Sequence, residues 1–233
     1  MLCFIDYRTT KKEKETLVSL GAKIIEIPKS PDLYDAISGH PDIQINIIDR
    51  NKKKILINKN LSDDFKKLIS YYNISYIETK NSLNSNYPNN IILNSLNLEN
   101  YFIHNLKFTD PNLLDLVKDK KLINVKQGYT NCSVLKVNEK AFITSDNGIY
   151  KKLVKENFDV LLIPPGDIVL DGFDYGFIGG AGGLISDNTL VFFGSLDKFV
   201  YGNLIKNFLK KHNINPIYLS NDKLHDRGSI LYL

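Results

Sequence analysis

The stretch GFIGGAGGLI, residues 176–185, places four glycines within the five positions from Gly179 to Gly183. A glycine-rich loop that binds a dinucleotide lies between a strand and a helix and has the spacing G-x-G-x-x-G. That spacing is absent here, and the glycines precede a short apolar segment that predicts a strand. Glycine also permits close approach of two backbones and unusual dihedral angles. We therefore interpret the run as the start of a β-hairpin and not as a nucleotide site.

Five segments of the chain have the amphipathic pattern of helices. Ser62 precedes two acidic residues in one of them, and Asp110 with Pro111 opens another; both arrangements are typical of helix N-termini. A short segment rich in β-branched and aromatic residues follows each helix and predicts a strand. The predicted helices cover residues 9–22, 61–73, 109–121, 145–158 and 195–213. The strands that follow them are AKIIEIP, ISYIETK, KLINVKQ, DVLLIPP and NPIYLSN.

Four predicted β-hairpins lie between these helix–strand pairs, with the polar turns DRNKK, LNLEN, VNEK and SDN. Their first strands are predicted to begin near residues 41, 88, 130 and 177. The two ends of the chain supply a fifth hairpin, in which RGSILYL, whose strand starts near residue 228, pairs with MLCFID. Five strand–strand–helix–strand units then form a single α/β domain over residues 1–233. Pairing the ends closes a ring and removes the sheet edges that an open array exposes.

Composition predicts a globular cytoplasmic protein that binds neither nucleic acid nor membrane. The chain has 233 residues, 43% of them hydrophobic, and a net charge of +4, so it can bury a core. Its lysines are spread over many segments, whereas nucleic-acid-binding proteins concentrate them on one face. No apolar run approaches a membrane span of about 20 residues, and the N-terminus does not resemble a signal peptide. Cys3 and Cys132 lie in apolar segments and are interpreted as reduced thiols.

The five-unit layout resembles the pentein fold, the five-bladed pseudo-symmetric α/β propeller of the guanidino-modifying enzymes. That superfamily includes arginine deiminase, dimethylarginine dimethylaminohydrolase and agmatine deiminase. The stretches GHPDIQI, VKQGYTNCSVL, GFIGGAGGLI and RGSIL are similar to those of an uncharacterised bacterial family assigned to the same fold. The resemblance implies a cysteine nucleophile at the start of the C-terminal strand, a histidine acid/base in another hairpin, and carboxylates that hold a guanidinium group.

The sequence departs from that pattern at both principal positions. Gly228 stands where the resemblance implies the nucleophilic cysteine, and Gly128 lies near the position implied for the histidine. We therefore do not expect the standard mechanism of the superfamily. If the protein is an enzyme, the resemblance implies a C–N hydrolase.

Other polar and reactive residues lie near the starts of the predicted hairpins, where the ring would have its mouth. His40, Cys132 and His225 are the weak candidates for catalysis. Each has an ordinary alternative role: a turn cap, core packing and a solvated loop, respectively. No spacing typical of metal ligands occurs, so we expect neither a metal nor a cofactor. The candidates for ligand binding are Asp6, Arg8, His40, Asp42, Gln127, Asn131, Asp226 and Arg227.

Three functions fit these observations. The first is a protein that binds a small polar or cationic, guanidino-like metabolite at the axial mouth without the standard cysteine and histidine. The second is a divergent hydrolase or deiminase for a guanidino or amide-like substrate, with Cys132 as a displaced nucleophile. The third is a non-catalytic protein that binds a macromolecule, as does the translation factor of this fold that separates ribosomal subunits. The glycine at position 228 favours the first and third functions, and the dispersed lysines count against a ribosomal role. The sequence does not define an oligomeric state.

Overall fold

The computed structural model describes residues 1–233 and contains five three-stranded sheets. The strands are β1 (Leu2–Asp6), β2 (Lys23–Ile27), β3 (Ile45–Asp49), β4 (Lys54–Ile57), β5 (Ser75–Glu78), β6 (Leu96–Asn97), β7 (Tyr101–His104), β8 (Lys121–Asn124), β9 (Val134–Lys136), β10 (Ala141–Thr144), β11 (Asp159–Leu162), β12 (Gly182–Ser186), β13 (Thr189–Phe192), β14 (Asn215–Tyr218) and β15 (Leu231–Tyr232). The α-helices are α1 (Lys11–Ser19), α2 (Pro41–Gln44), α3 (Asp63–Tyr71), α4 (Pro111–Leu116), α5 (Thr130–Ser133), α6 (Asn147–Lys155) and α7 (Gly202–Lys211).

All five sheets have the same internal arrangement. A first strand pairs antiparallel with a middle strand, and a helix then leads to a third strand that lies parallel to the middle one. In the first sheet, β15 from the end of the chain takes the place of the first strand. It pairs antiparallel with β1, with Cys3 opposite Tyr232 and Phe4 opposite Leu231. The predicted pairing of the chain ends is therefore present in the structure.

The five predicted helices are present but shorter than their sequence patterns, and polar side chains cap the starts of four of them. Thr10 and Glu13 form a reciprocal capping box at α1. Asp110 accepts a hydrogen bond from the Asn112 backbone N–H at the start of α4. The last helical segment is divided, and a short 3₁₀ turn at residues 196–198 precedes α7. None of the helices has both the length and the apolar character needed to cross a bilayer.

The first strands of the hairpins start later than predicted. They begin at Ile45, Leu96, Val134, Gly182 and Leu231. In two hairpins a single helical turn, α2 or α5, occupies the residues expected to be extended. Pro41 opens α2, and proline favours the first helical position because its backbone angle is already close to helical. These turns place polar residues immediately before the strands.

Apolar packing joins the sheets in pairs through five buried clusters. One cluster lies between the first and second sheets and includes Phe4 and Ile55. A second joins the second and third sheets through Leu56 and Phe102. The remaining clusters join the third sheet to the fourth, the fourth to the fifth, and the fifth to the first. Each sheet thus shares a core with two others.

The glycine run lies where backbones touch. A Cβ atom on Gly179 would stand 2.2 Å from the carbonyl oxygen of Asn131, and one on Gly183 would stand 2.2 Å from that of Ile230. No glycine between residues 179 and 183 has a positive φ. The run therefore serves close approach, as predicted, and does not serve unusual dihedral angles.

We predict that Gly183→Ala destabilises the protein by about 2 kcal/mol or more. The new methyl group would meet the Ile230 backbone at the contact between β12 and β15, and backbone cannot rotate away as a side chain can. Gly148→Ala is the matched control, because its Cβ meets only a side-chain atom, Oδ1 of Asp146, at 3.1 Å. Urea denaturation of both variants checks this expectation. Equal stabilities would contradict it.

We also predict that acid weakens the fold through His104. Its Nε2–H donates to the Gly128 carbonyl at 2.9 Å, and burial lowers the pKa of His104 to about 4. As the pH falls below 6.5, His104 takes up a proton in the unfolded chain, whereas in the folded chain it stays neutral down to about pH 4. The free energy of unfolding therefore decreases as the pH is lowered from 6.5 to 4. The expected loss from this residue is about 2 kcal/mol between pH 8 and pH 5. Urea denaturation at the two pH values measures this loss. The free energy of unfolding of His104→Gln should differ less between pH 8 and pH 5 than that of the wild type, by about 2 kcal/mol. The same difference in both proteins would exclude the effect.

Candidate functional site

The segments that precede the first strands of all five sheets are linked by side-chain hydrogen bonds at one place. Asp42, Asn131 and Ser229 contact one another, Asn94 contacts Cys132, and Ser229 reaches the carbonyl of Gly179. Asp42 lies in α2 before β3, Asn94 precedes β6, Asn131 and Cys132 lie in α5 before β9, Gly179 precedes β12, and Ser229 precedes β15. We call Asp42, Asn94, Asn131, Cys132 and Ser229 the Asp42 network.

One oxygen of Asp42 is the centre of this network. Asp42 Oδ2 accepts hydrogen bonds from Ser229 Oγ at 2.9 Å, from Cys132 Sγ at 3.0 Å and from Asn131 Nδ2 at 3.1 Å. The other oxygen, Oδ1, is buried and has no partner. The carboxylate is therefore fixed in orientation through one oxygen and keeps the other free.

Asn94 holds the Cys132 segment. Its Oδ1 accepts the Cys132 backbone N–H at 3.2 Å, and its Nδ2 donates to Cys132 Sγ at 3.1 Å. The same Nδ2 lies 3.3 Å from the Asp42 carbonyl oxygen. The side-chain amide of Asn94 therefore links α2 and α5, two one-turn helices that precede strands of different sheets.

His40 and Asp226 face each other beside the network. His40 Nδ1 lies 3.9 Å from Asp226 Oδ1, and neither ring nitrogen of His40 has a hydrogen-bond partner. The Asp226 carboxylate accepts the backbone N–H groups of Phe177 at 2.8 Å and Gly228 at 3.0 Å. Burial raises the pKa of the Asp226 carboxyl, although His40 and the two backbone donors act in the opposite direction.

A cavity of about 330 Å³ opens above these groups. His40, Cys132 and Asp226 line its inner part. Phe173 and Tyr175 are 52% and 44% exposed and lie among its lining residues. The remaining lining residues are Tyr34, Ile37, Tyr129, Leu170, Asp174 and Phe177. The cavity therefore has aromatic walls, a polar floor and two carboxylates, and no lysine or arginine lines it.

The aromatic wall is held by contacts between its own members. The ring of Tyr34 lies 5.5 Å from that of Phe173, and the hydroxyl groups of Tyr34 and Tyr129 are 3.3 Å apart. Tyr129 in turn packs 6.2 Å from Phe177. Burial raises the pKa of both tyrosines, so the wall presents neutral phenols.

Besides Asp42 and Asn131, which belong to the Asp42 network, four of the predicted ligand-binding residues do not line the cavity. Asp6 and Arg8 form an ion pair, and Arg8 also donates to the carbonyl groups of residues 35 and 36 beside Tyr34. Gln127 accepts the Tyr129 backbone N–H at 3.1 Å. These three residues therefore position the loops that carry the aromatic wall. The fourth is Arg227, whose Nε is buried without a partner.

The catalytic candidates are also separated. Cys132 and His40 line the same cavity, whereas His225 does not. The backbone of His225 bonds to the Phe193 carbonyl and bridges to Val169. The expected mouth with two histidines therefore contains one.

Sequence reasoning missed the aromatic wall and two members of the network, Asn94 and Ser229. The first strand of the second hairpin was predicted to begin near residue 88, but the residue that this hairpin contributes to the network is Asn94, two positions before β6. The residues immediately before each first strand are the signal that could have found Asn94. No repeat pattern marks the aromatic residues, because they lie on unequal loops.

Three comparisons with known proteins define the relationships of the chain. The model of a family of unknown function, DUF6873, matches residues 4–231. No curated protein matches the sequence. Among solved structures, an amidinotransferase of the saxitoxin biosynthetic pathway from Microseira wollei is similar, with a TM-score of 0.59 and 10% identity over 95% of this chain and 78% of that one.

Two further solved structures are similar at the level of the fold. Inosamine-phosphate amidinotransferase from Streptomyces griseus has a TM-score of 0.56 and 12% identity, over 92% of this chain and 74% of that one. A cysteine-to-serine mutant of dimethylarginine dimethylaminohydrolase from Pseudomonas aeruginosa, complexed with citrulline, has a TM-score of 0.54 and 6% identity, over 94% and 92% of the two chains. The predicted resemblance to the pentein fold is therefore confirmed, and identities this low establish the fold alone.

We predict that Cys132 reacts slowly with iodoacetamide in the folded protein. Its side chain is 2% exposed, and burial, followed by the carboxylates of Asp42 and Asp226, raises the pKa of the thiol well above its ordinary value. The reactive species is the thiolate, so labelling at pH 7.5 should be at least about 100-fold slower than in urea. The variant Cys3→Ser leaves Cys132 as the single thiol, and mass spectrometry follows its alkylation. Equal rates with and without urea would show that Cys132 is an accessible thiolate.

Proposed function

Since the chain belongs to this family of unknown function, we propose its function from its own cavity: it binds a small organic cation with a flat, guanidino-like head group. The observation that carries this proposal is the carboxylate of Asp226 at the floor of an aromatic-walled cavity that contains no lysine or arginine. The ligand is a metabolite and not a macromolecule, because the cavity is concave and close to the lower end of the usual range for small-molecule sites, about 300–1,000 Å³.

The proposal includes a closed five-bladed ring formed by a single domain over residues 1–233. The five buried clusters support it, because each joins one sheet to the next in chain order and the last joins the fifth sheet to the first. A narrow cavity of about 80 Å³ supports it as well, since residues of β3, β6, β9, β12 and β15 all line that cavity. In this ring the narrow cavity is the central channel, and the Asp42 network closes one end of it. The aromatic cavity lies on the other side of the network, outside the channel.

Charge and shape favour a planar cation. A guanidinium group is flat, delocalised and weakly hydrated, so it stacks on aromatic faces and pairs with carboxylates through parallel N–H donors. A cation over a tyrosine or phenylalanine face gains about 0.5–2 kcal/mol. Tyr34 and Phe177 supply such faces, and Asp226 supplies the carboxylate. A neutral head group of the same shape lacks both the cation–π attraction and the charge that strengthens hydrogen bonds to the carboxylate.

We also propose that the protein is cytoplasmic and that it does not bind nucleic acid. Both cysteines are free thiols, as in proteins of reducing compartments. Many surface lysines are paired with acidic side chains, including Lys66 with Glu78 and Lys223 with Asp167. Such pairs neutralise part of the positive surface that a phosphate backbone would contact.

A second candidate function, hydrolysis of a C–N bond, is favoured by one observation. Cys132 and His40 line the same cavity, and Cys132 Sγ lies within 4.8 Å of a ring nitrogen of His40. A thiol beside a histidine is the arrangement of many covalent catalysts. Binding without turnover is favoured here, because the raised pKa of Cys132 keeps the sulfur protonated.

Isothermal titration calorimetry with agmatine, arginine and guanidine, each against a neutral analogue with a urea head group, tests the proposal. We predict measurable binding for guanidino compounds and at least about 10-fold weaker binding for their neutral analogues. Asp226→Asn should weaken agmatine binding at least about 10-fold. Asp174→Asn is the matched control, because this carboxylate lies in the same cavity but is exposed, where solvent screens it; it should change binding less than about 3-fold.

Two results would overturn this function. Equal affinity for charged and neutral head groups would remove the charge argument, and unchanged binding by a folded Asp226→Asn variant would remove the site. Circular dichroism of each variant establishes that it is folded. Release of ammonia or urea from agmatine by the wild-type protein, and its loss in Cys132→Ser, would favour the hydrolase instead.

A further inference from the structure

Three side chains with different donor atoms converge beneath the cavity. His40, Asp42 and Cys132 offer a ring nitrogen, a carboxylate oxygen and a sulfur, and these atoms all lie within 4.8 Å of one another. The three residues are only 1–2% exposed. They come from two different sheets, since His40 and Asp42 precede β3 and Cys132 precedes β9. Their convergence therefore depends on tertiary structure and leaves no ligand spacing in the sequence.

The same residues carry buried polar atoms without partners. Both ring nitrogens of His40 and Oδ1 of Asp42 are buried and make no hydrogen bond. Buried polar atoms are rarely left unpaired, because each one costs about 1–3 kcal/mol. Two adjacent residues that both lack partners therefore point to a missing ligand that accepts lone pairs from nitrogen and oxygen together.

We propose that His40, Asp42 and Cys132 bind a divalent transition-metal ion of the zinc class. Nitrogen, oxygen and sulfur ligands in one site suit Zn²⁺ and Co²⁺, whereas Mg²⁺ and Ca²⁺ take oxygen ligands alone. Zinc lies about 2.3 Å from sulfur and about 2.0–2.2 Å from nitrogen and oxygen. Ligands around one such ion are about 3.5 Å apart, so the present side chains need a combined shift of about 1 Å.

Neighbouring groups already hold two of the three ligands in a suitable orientation. Asn131 and Ser229 donate to Oδ2 of Asp42 and leave Oδ1 for the ion. Asn94 Nδ2 donates to the Cys132 sulfur at 3.1 Å. Groups that bond to metal ligands in this way fix their geometry and strengthen binding.

Metal binding displaces one proton, that of the Cys132 thiol. The S–H bond of Cys132 breaks, a sulfur–metal bond forms, and the proton passes to solvent, because the metal ligand is the thiolate. One thiolate and one carboxylate then neutralise the charge of the dication. His40 and Cys132 also line the cavity, so the fourth coordination position faces it, as in zinc sites that keep one position for water or a substrate.

This inference goes beyond the proposed function and does not depend on it. The carboxylate of Asp226 is not one of the three ligands and stays available to an organic cation. The metal site can therefore be correct where the guanidino site is wrong, and the reverse also holds.

Titration of the full-length, chelator-treated protein with Co²⁺ tests the site by absorption spectroscopy. We expect one equivalent of Co²⁺ to produce a thiolate-to-cobalt charge-transfer band and the intense visible bands of tetrahedral cobalt, and Zn²⁺ to abolish both. Cys132→Ser should lose the charge-transfer band, and Asp42→Asn and His40→Ala should weaken Co²⁺ binding about 100-fold or more. The matched controls are Cys3→Ser, which removes the other buried thiol, and His225→Ala, and both should retain the wild-type spectrum.

Absence of the charge-transfer band from the wild-type protein would overturn the inference, as would its retention in Cys132→Ser or its loss in Cys3→Ser. Asp226→Asn separates the two proposals, because it should weaken agmatine binding at least about 10-fold and retain the cobalt spectrum. Melting curves establish the folding of each variant. If Asp42→Asn fails to fold, the test still rests on the spectra of Cys132→Ser and Cys3→Ser and on the number of Co²⁺ ions that the wild-type protein binds.

Discussion

Oδ2 of Asp42 accepts hydrogen bonds from Ser229, Asn131 and Cys132, which belong to segments far apart in the chain. Backbone hydrogen bonds between sheets join two segments at a time, as from the Asp42 N–H to the Gly228 carbonyl, whereas a single carboxylate oxygen can join several. The shared acceptor does so at the starts of the first strands. Because a buried carboxylate is costly unless its oxygens are satisfied, the donors and the acceptor stabilise one another. The hydrogen bonds that hold the sheets together at this end therefore also position the segments that form the floor of the cavity.

The glycines define how closely this floor can assemble. Gly179 lies against the carbonyl groups of residues 131, 132 and 134, and Gly180 lies against the carboxylate of Asp226, which a Cβ atom would meet at 1.8 Å. A side chain at Gly179 would move the segment that carries Cys132, and one at Gly180 would move Asp226. The stretch that decides the fold thus also determines the depth at which the side chains of Cys132 and Asp226 lie. Its contribution to the site is the absence of side chains.

Periodic patterns in the sequence predicted the five units, because each helix and strand obeys local rules. Ser62 and Asp110 cap helices as their types require, and apolar runs identify the middle strands. The first strands were placed several residues too early, because one-turn helices such as α2 have the same turn-rich composition as irregular chain. Asp42, His40 and Cys132 were identified as candidates from their positions before hairpins. Their mutual contact, and the separation of His225 from them, depend on distances between sheets, which no local pattern encodes.

Gly228, at the position where the resemblance implies a cysteine, lies directly against His40. Gly228 has a φ of +67°, and a Cβ atom there would stand 2.2 Å from Cβ of His40. A cysteine at this position would adopt a strained backbone and occupy the space of the histidine. With this backbone, a side chain at position 228 would clash with that of His40. The sulfur beside the cavity is that of Cys132 in α5, which belongs to another hairpin. The reactive groups of this protein are consequently arranged on different segments from those that the resemblance implies, around a floor that is built from the same five-unit fold.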